Sequence, residues 1–289
     1  MTNFTCNLCG RTNRWPGTPP EPETPTCVHC GSNVRTRGLV QVLSEELFGT
    51  SLPLSDFPRV KSLRGLGTSD SETYAERLAD RLDYRNTYFH REPRFDIANA
   101  GQEESGRYDF LVSSEVLEHV ASPVERAFEN ACRMLKASGV FVFTVPYSLE
   151  ATTTERFSQL HDFGFARLSD RTLLVNRTPS GEVQTFDGLI FHGGGGSTLE
   201  MREFSESALK ALLTGAGFTS VRIDSDDHPE FGILRKYSWS LPIAARKGPF
   251  ALTQDAARDL AEQYALLHKR LEGILRSLPV RLGCKLRLF

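Results

Sequence analysis

Apolar residues recur along this chain in two rhythms, and the rhythm switches several times. Leu39, Val42, Leu43, Leu47 and Phe48 fall three to four apart, the spacing of one helix face, and the pattern stops at Gly49. Ser51 to Pro58 holds two prolines and reads as a linker. Arg59 to Leu63 reads as a strand running into Gly65-Leu66-Gly67, and Ser71 to Leu82 as a helix with Tyr74, Leu78 and Leu82 on one face. Thr87 to His90 and Tyr108 to Val112 are short strands. Pro123 to Lys136 is an amphipathic helix through Ala127, Ala131, Met134 and Leu135. Val140 to Val145 is an unbroken apolar run, the mark of a strand buried on both faces. Strand, helix and strand at this spacing predict a parallel sheet with crossover helices. Farther on, Thr172 to Asn176 and Glu182 to Phe186 flank Pro179-Ser180-Gly181 as a hairpin-like insertion. A helix over Glu206 to Thr214 stops at Gly215 and Gly217, and Val221 to Asp224 and Tyr237 to Ala245 read as closing strands. No internal repeat is present.

The last pattern is helical. Leu260, Tyr264, Leu267, Leu271 and Ile274, within Gln254 to Leu275, form a seam for packing on the domain or on a second copy. Lys269, Arg270, Arg276, Arg281, Lys285 and Arg287 interleave with leucines and are opposed by Glu272. A basic amphipathic end of this kind also suits peripheral contact with an anionic membrane. Three regions follow: 1–50, 51–249 with a lid-like insertion around 150–200, and 250–289.

Composition narrows the classes. At 289 residues, 39% hydrophobic and 24% charged, the chain has enough apolar material for a core without disulfides. The 34 Lys and Arg against 36 Asp and Glu leave a net charge of −2, which weighs against a nucleic-acid partner. No apolar run approaches the roughly 18–20 residues that span a bilayer. The first residues carry neither a basic leader nor an apolar core, so the expectation is a cytoplasmic globular enzyme.

Four of the six cysteines sit in the first thirty residues, as Cys6-Asn7-Leu8-Cys9 and Cys27-Val28-His29-Cys30. Paired C-x-x-C knuckles at this separation read as a tetrahedral zinc site, each knuckle aiming two thiolates at one point. Gly10 and Gly31 follow the knuckles, where a left-handed residue is often needed. Between them Pro16, Pro19, Pro20, Pro22 and Pro25 form a stretch with no core of its own, which a metal must hold.

The most informative segment runs Tyr108-Asp109-Phe110-Leu111-Val112-Ser113-Ser114-Glu115-Val116-Leu117-Glu118-His119-Val120, followed by Ser122-Pro123, a helix, Leu135-Lys136-Ala137-Ser138-Gly139, and Val140 to Pro146. With the glycine pair and Ala216-Gly217-Phe218-Thr219-Ser220-Val221, it resembles the class I S-adenosylmethionine-dependent methyltransferases of the type 11-like group, over roughly residues 59–248. The cysteine pairs with Arg35-x-Arg37 resemble members carrying an N-terminal zinc ribbon. The resemblance implies an α/β fold, a doubly wound, mostly parallel seven-stranded sheet preceded by the ribbon and followed by a C-terminal helix. It places the cofactor along the carboxyl ends of the strands. By position, Gly65, Leu66 and Gly67 match the glycine-rich turn, and Asp96 with Ile97 the adenine contact. Ser113, Ser114 and Glu115 match the methionine end. Two departures stand out: Arg64 replaces the usual acid, and Ser69 the third glycine. No acid ends the second strand, leaving Asn86, Thr87 and Glu92 as substitutes.

A hydroxyl acceptor must lose a proton during methyl transfer, so His119 and Glu115 are the catalytic candidates. Glu115-x-x-Glu118-His119 also resembles the metal motif of small-RNA 2′-O-methyltransferases and some ubiquinone-pathway O-methyltransferases, with His161 or His192 as a further ligand. The other reading is a turn braced by glutamate. His192 followed by Gly193 to Gly196 reads as a lid or as a hairpin tip. Phe163, Phe165, Phe186 and Phe191 either line an acceptor pocket or pack beneath it. The expected activity is O-methylation of a small polar or glycan acceptor. Beside it stand an RNA or protein methyltransferase using Arg11, Arg14, Arg35 and Arg37 as a basic stripe, and a non-catalytic cofactor-binding scaffold.

Overall fold

The computed structural model describes residues 3–15, 17–157, 159–192 and 198–276. Gly193 to Gly196, Arg281, Lys285, Arg287 and Cys284 lie outside them. The chain opens on an antiparallel hairpin, β1 (Asn3–Thr5) and β2 (Thr12–Arg14), followed by the helix α1 (Val34–Phe48). This helix begins ahead of the apolar rhythm because Asn33 and Thr36 form a reciprocal cap, with the Thr36 N–H donating to Asn33 Oδ1 at 2.8 Å. Gly49, at φ +71°, ends it.

The sheet elements follow as β3 (Val60–Thr68), α2 (Glu72–Arg81), β4 (Leu82–Thr87), β5 (Tyr108–Ser114), α3 (Glu125–Met134) and β6 (Leu135–Thr144). An insertion then supplies β7 (Tyr147–Ser148), β8 (Thr154–Glu155), β9 (Asp162–Arg167), β10 (Thr172–Arg177), β11 (Val183–Phe186), β12 (Phe191–His192), β13 (Thr198–Leu199) and β14 (Arg202–Ser205). The chain closes with α4 (Glu206–Gly215), β15 (Ser220–Ile223), β16 (Ile243–Arg246) and α5 (Gln254–Leu275). The central sheet has the order β15-β16-β6-β5-β3-β4, parallel from β6 to β4 and antiparallel at β15 and β16.

The sheet holds six strands among the described residues, where seven were expected. The segment between β4 and β5 is only residues 88–107, and it carries two short turns, Ile97–Asn99 and Gln102–Glu104. A single parallel crossover takes about a dozen residues, so this length cannot hold an extra strand and two crossovers. The strand expected over Thr87 to His90 is displaced to Leu82–Thr87, and the last one shortens to Ile243–Arg246.

Alternation along β5 and β6 divides the core in two. Phe110, Val112, Val140 and Val142 face α1 and the start of α5, while Leu111, Phe141 and Phe143 face α3 and α4. Ribbon residues Phe4, Cys6, Leu8 and Cys27 belong to the first of these cores, so the ribbon and the sheet share one buried cluster. Arg37 joins them. Fully buried, it donates to the Ser32 carbonyl (3.0 Å), the Thr26 hydroxyl (2.8 Å) and the Gly232 carbonyl (2.8 Å). The first half of α5 docks beside β3, where Asp259 accepts from the Ser62 hydroxyl at 2.6 Å. Its second half leaves Tyr264, Leu267, Leu271 and Ile274 exposed. No helix of the described residues is long and apolar enough to cross a membrane.

Gly65 and Gly67 lie inside β3, paired with β4 and β5 on either side, rather than in a turn beyond it. The rings of Tyr84 and Phe110 stack at 6.0 Å across the strand between them. A Cβ on Gly65 would enter the Phe110 ring, and one on Gly67 would meet the Tyr84 hydroxyl and Asp70. We expect Gly65→Ala to destabilise the fold by about 1–3 kcal/mol through overpacking, read as a lower melting temperature. An unchanged melt would show that the stacked pair is free to move aside.

Candidate active site

The parallel strands β3, β4 and β5 all end on one side of the sheet, and a cavity of about 1030 Å³ opens there. Thr68, Ser69, Thr87, Tyr88, Asp96, Ile97, Ser114 and Glu115 line one end. Of the residues expected to hold a cofactor, Asp96, Ile97, Ser114 and Glu115 therefore meet. Gly65, Leu66, Gly67 and Ser113 lie behind the lining, and the buried Ser113 hydroxyl has no partner. The turn after β3 is instead made by Ser69, at φ +57°, a conformation that favours glycine, held by its N–H to the Thr87 carbonyl at 2.6 Å. Next to it Asp70 is buried, accepting from the hydroxyls of Tyr74 (2.8 Å) and Tyr84. Burial pushes its carboxyl up to about 7, against the opposing pull of those two hydroxyls.

Asp96 caps the turn that follows it, accepting from the Ala98 N–H at 2.9 Å and the Asn99 amide at 2.8 Å, and still faces the cavity. Among the substitutes for a strand-ending acid, Thr87 lines the cavity. Asn86 is bonded to the Asp70 backbone (3.0 and 2.8 Å), and Glu92 folds back on the Arg94 N–H (2.9 Å). Tyr88 was not singled out from sequence, yet it lines the site and accepts from Asn86 at 3.1 Å.

Glu118, His119, His192, Glu200, Phe163, Phe165 and Trp239 line the same cavity. His119 is almost buried, and its Nδ1–H donates to the Leu199 carbonyl at 2.9 Å. That bond fixes the tautomer and leaves Nε2 with its lone pair. Burial lowers the His119 pKa and outweighs the raising effect of the Leu199 bond. The Glu118 carboxyl lies 3.5 Å from Nε2 and is raised well above its ordinary range by burial and by the nearby Glu115 charge; its Oε2 is buried without a partner. Burial likewise raises Glu115, against the pull of Arg35, and Ser240 donates to both its oxygens at 3.2 and 3.3 Å.

Across the cavity the His192 ring sits 5.6 Å from that of His119 and bonds Glu200 at 2.5 Å. Burial pushes the Glu200 carboxyl up, but His192 and Arg156 together hold it below the usual range. His161 is not part of this lining. Phe163 and Phe165 face the cavity, while Phe186 packs on Phe157 (5.1 Å) and Phe191 on Phe165 (5.8 Å). Glu200, Trp239 and Ser240 escaped the sequence reading. Glu200 left one signal, a lone acid between Leu199 and Met201.

The four N-terminal cysteine sulfurs lie within 4.8 Å of one another, with Cys6 to Cys30 at 3.7 Å and Cys9 to Cys27 at 3.6 Å. A tetrahedral ion with bonds of about 2.3 Å sets its ligand sulfurs about 3.8 Å apart, so the donor set fits zinc. Gly10 (φ +71°) and Gly31 (φ +73°) turn the knuckles, each donating its N–H to the first cysteine's carbonyl (2.7 and 2.9 Å). Among the described residues no other set of three or more ligand groups converges to this degree. Of the four arginines of the expected basic stripe, Arg11 and Arg14 are exposed and the other two are engaged within the protein. Arg37 is buried and Arg35 is engaged by Glu23 and Ser114.

The family model described as a methyltransferase domain matches residues 36–223. No curated protein sequence matches the chain. Among solved structures, the CurJ carbon methyltransferase is 13% identical, with 68% of this chain and 51% of that one covered and a TM-score of 0.41. A Burkholderia thailandensis 1,6-didemethyltoxoflavin-N1-methyltransferase is 15% identical, with 83% and 96% covered and a TM-score of 0.39. An S-adenosylmethionine-dependent methyltransferase from Clostridium acetobutylicum is 12% identical, with 73% and 97% covered and a TM-score of 0.39. The chain spans about half the length of the CurJ chain and of the citrinin polyketide synthase CMeT domain, 51% and 47%.

Proposed function

Because the chain belongs to the methyltransferase-domain family, we propose that it takes its methyl group from S-adenosylmethionine and places it on a hydroxyl of a small polar or sugar-type acceptor. The observation that carries this reading is a large cavity that joins the ends of the parallel strands to His119, an almost buried histidine bonded through Nδ1 to the Leu199 carbonyl. At about 1030 Å³ it stands at the upper end of the range for small-ligand sites, room for a donor and a compact acceptor together. Asp96 has acceptor capacity left for an adenine amine, Thr87 and Tyr88 offer hydroxyls to a ribose, and Ser69 and Ser114 lie where an amino-acid end would fit. When bound, the donor supplies an electrophilic methyl on a sulfonium.

The chain's own part is to position the acceptor and to take its proton at His119 Nε2. The lining is rich in carboxyl groups, with Glu23, Asp96, Glu115, Glu118 and Glu200 against Arg35 and Arg126. Burial pushes Glu118 toward its neutral form and Glu23 is paired with Arg35, so the wall holds little uncompensated charge and suits an uncharged or amine-bearing acceptor better than a phosphorylated one. We further propose that Cys6, Cys9, Cys27 and Cys30 hold a structural zinc ion that braces the cavity from the N-terminal side. Engagement of Arg35 and Arg37 inside the protein weighs against the RNA reading. The test is transfer of labelled methyl from S-adenosylmethionine to panels of polyols, amino sugars, sugar phosphates, RNA and protein. Label is expected in neutral or amine-bearing small acceptors. Label confined to RNA, protein or phosphorylated acceptors overturns the reading.

A further inference from the structure

Arg35 stands on the first turn of α1, five residues after Cys30, yet its side chain reaches the carboxyl end of β5. One terminal nitrogen donates to the Ser114 hydroxyl. Nε and the other terminal nitrogen make a two-pronged bond to the Glu23 carboxylate, the latter to Oε2 at 2.8 Å. Both residues line the large cavity at the same end as Ser69 and Ser114. Their burial is unequal: the Arg35 side chain is 13% exposed and that of Glu23 47%. Glu115 is close enough to act on the Arg35 charge. The site thus holds a planar guanidinium anchored at its inner edge, with its outer edge closed by a half-exposed carboxylate and a second carboxyl beside it. A guanidinium fork matches a carboxylate in shape as well as charge.

We infer that Arg35 is the receptor for the α-carboxylate of the donor's amino-acid end, and that Glu23 is an internal stand-in that leaves the fork when the donor enters. This rests on the donor assignment above. The donor's amino-acid end is a zwitterion, and Arg35 with the nearby Glu115 carboxyl offers a partner to each of its charges. Displacing Glu23 costs little, because a half-exposed ion pair is weak, while the arriving carboxylate gains charge-assisted bonds inside the cavity. The N-terminal ribbon then does more than brace the sheet: its chain carries both the fork and the stand-in.

The experiment is calorimetry on the zinc-loaded full chain with two probes. S-adenosylhomocysteine has the amino-acid end and 5′-methylthioadenosine lacks it. Arg35→Gln is expected to weaken S-adenosylhomocysteine by about 10- to 100-fold, the loss of charged hydrogen bonds, with methylthioadenosine held within about threefold. Glu23→Gln is expected to tighten S-adenosylhomocysteine by about threefold or more, the worth of a half-exposed pair, without moving methylthioadenosine. If Arg35→Gln does not fold, the Glu23→Gln ratio decides alone. Equal losses for both probes in Arg35→Gln, or an unchanged ratio in Glu23→Gln, overturn the inference and leave Arg35 as a strut. Wild-type protein that takes neither probe removes the donor assignment itself, and the inference falls with it.

Discussion

His119→Asn is expected to lower kcat by about 10²- to 10⁴-fold, the usual contribution of a positioned general base, and to leave donor binding within a few-fold. The argument is local. The Leu199 carbonyl holds the Nδ1–H, so the lone pair is at Nε2, and burial depresses the pKa so that the ring is neutral near pH 7. A depressed pKa means the proton is released at lower pH. The active form therefore persists on acidification, and the acid limb of kcat lies below the ordinary histidine value of about 6.5. His119→Asn flattens that limb as well as lowering the plateau. A variant with wild-type kcat and an unchanged acid limb would move the proton transfer to another group, with His192 next in line across the cavity.

Removal of the proposed zinc ion is expected to have the second large effect. Structural zinc sites in small finger peptides contribute about 10–16 kcal/mol of apparent binding energy, as much as the whole stability of an ordinary domain, about 5–15 kcal/mol. The segment between the knuckles has five prolines and little apolar material, so nothing else in it replaces that energy. Chelation, or Cys6→Ser, is expected to unfold the ribbon and to expose the core that Phe4, Leu8 and Cys27 share with Leu39 and Val42. The readouts are metal content, melting temperature and S-adenosylhomocysteine affinity, all three falling together. Metal-free protein that melts and binds as before would make the cysteines a redox or accessory cluster instead.

Much of this architecture is readable from spacing. The four cysteines and the two-sided burial of the apolar run in β6 each depend on residues close in sequence, whereas the reciprocal cap at Asn33, equally local, escaped the sequence reading and α1 starts before its apolar rhythm. The sulfur distances, the helices and the alternating core are what that local pattern predicts. The glycine pair shows where such reading misleads. Gly-x-Gly looks like a loop that approaches a ligand, but here the missing Cβ atoms make way for Tyr84 and Phe110, whose crowding is set by neighbouring strands. The turn itself falls on Ser69, a residue type that gives no such signal. The rest of the cavity was half visible. His119 and Glu115 lie in the informative segment, whereas the Leu199 carbonyl reaches His119 from 80 residues downstream, Ser240 reaches Glu115 from 125, and Glu200 is held by Arg156 and His192 within the insertion; pairing across such distances leaves no periodic trace.

One bond sets the timetable of synthesis. Arg37, buried between the ribbon and the sheet, completes its hydrogen bonding on the carbonyl of Gly232, 195 residues later. A ribosome delivers the cysteines first and this partner of Arg37 near the end. The nascent N-terminus can fold its knuckles early and pair Arg37 with Thr26 and Ser32, but the third partner of that guanidinium and the cover for one flank of the core arrive only when residue 232 has emerged.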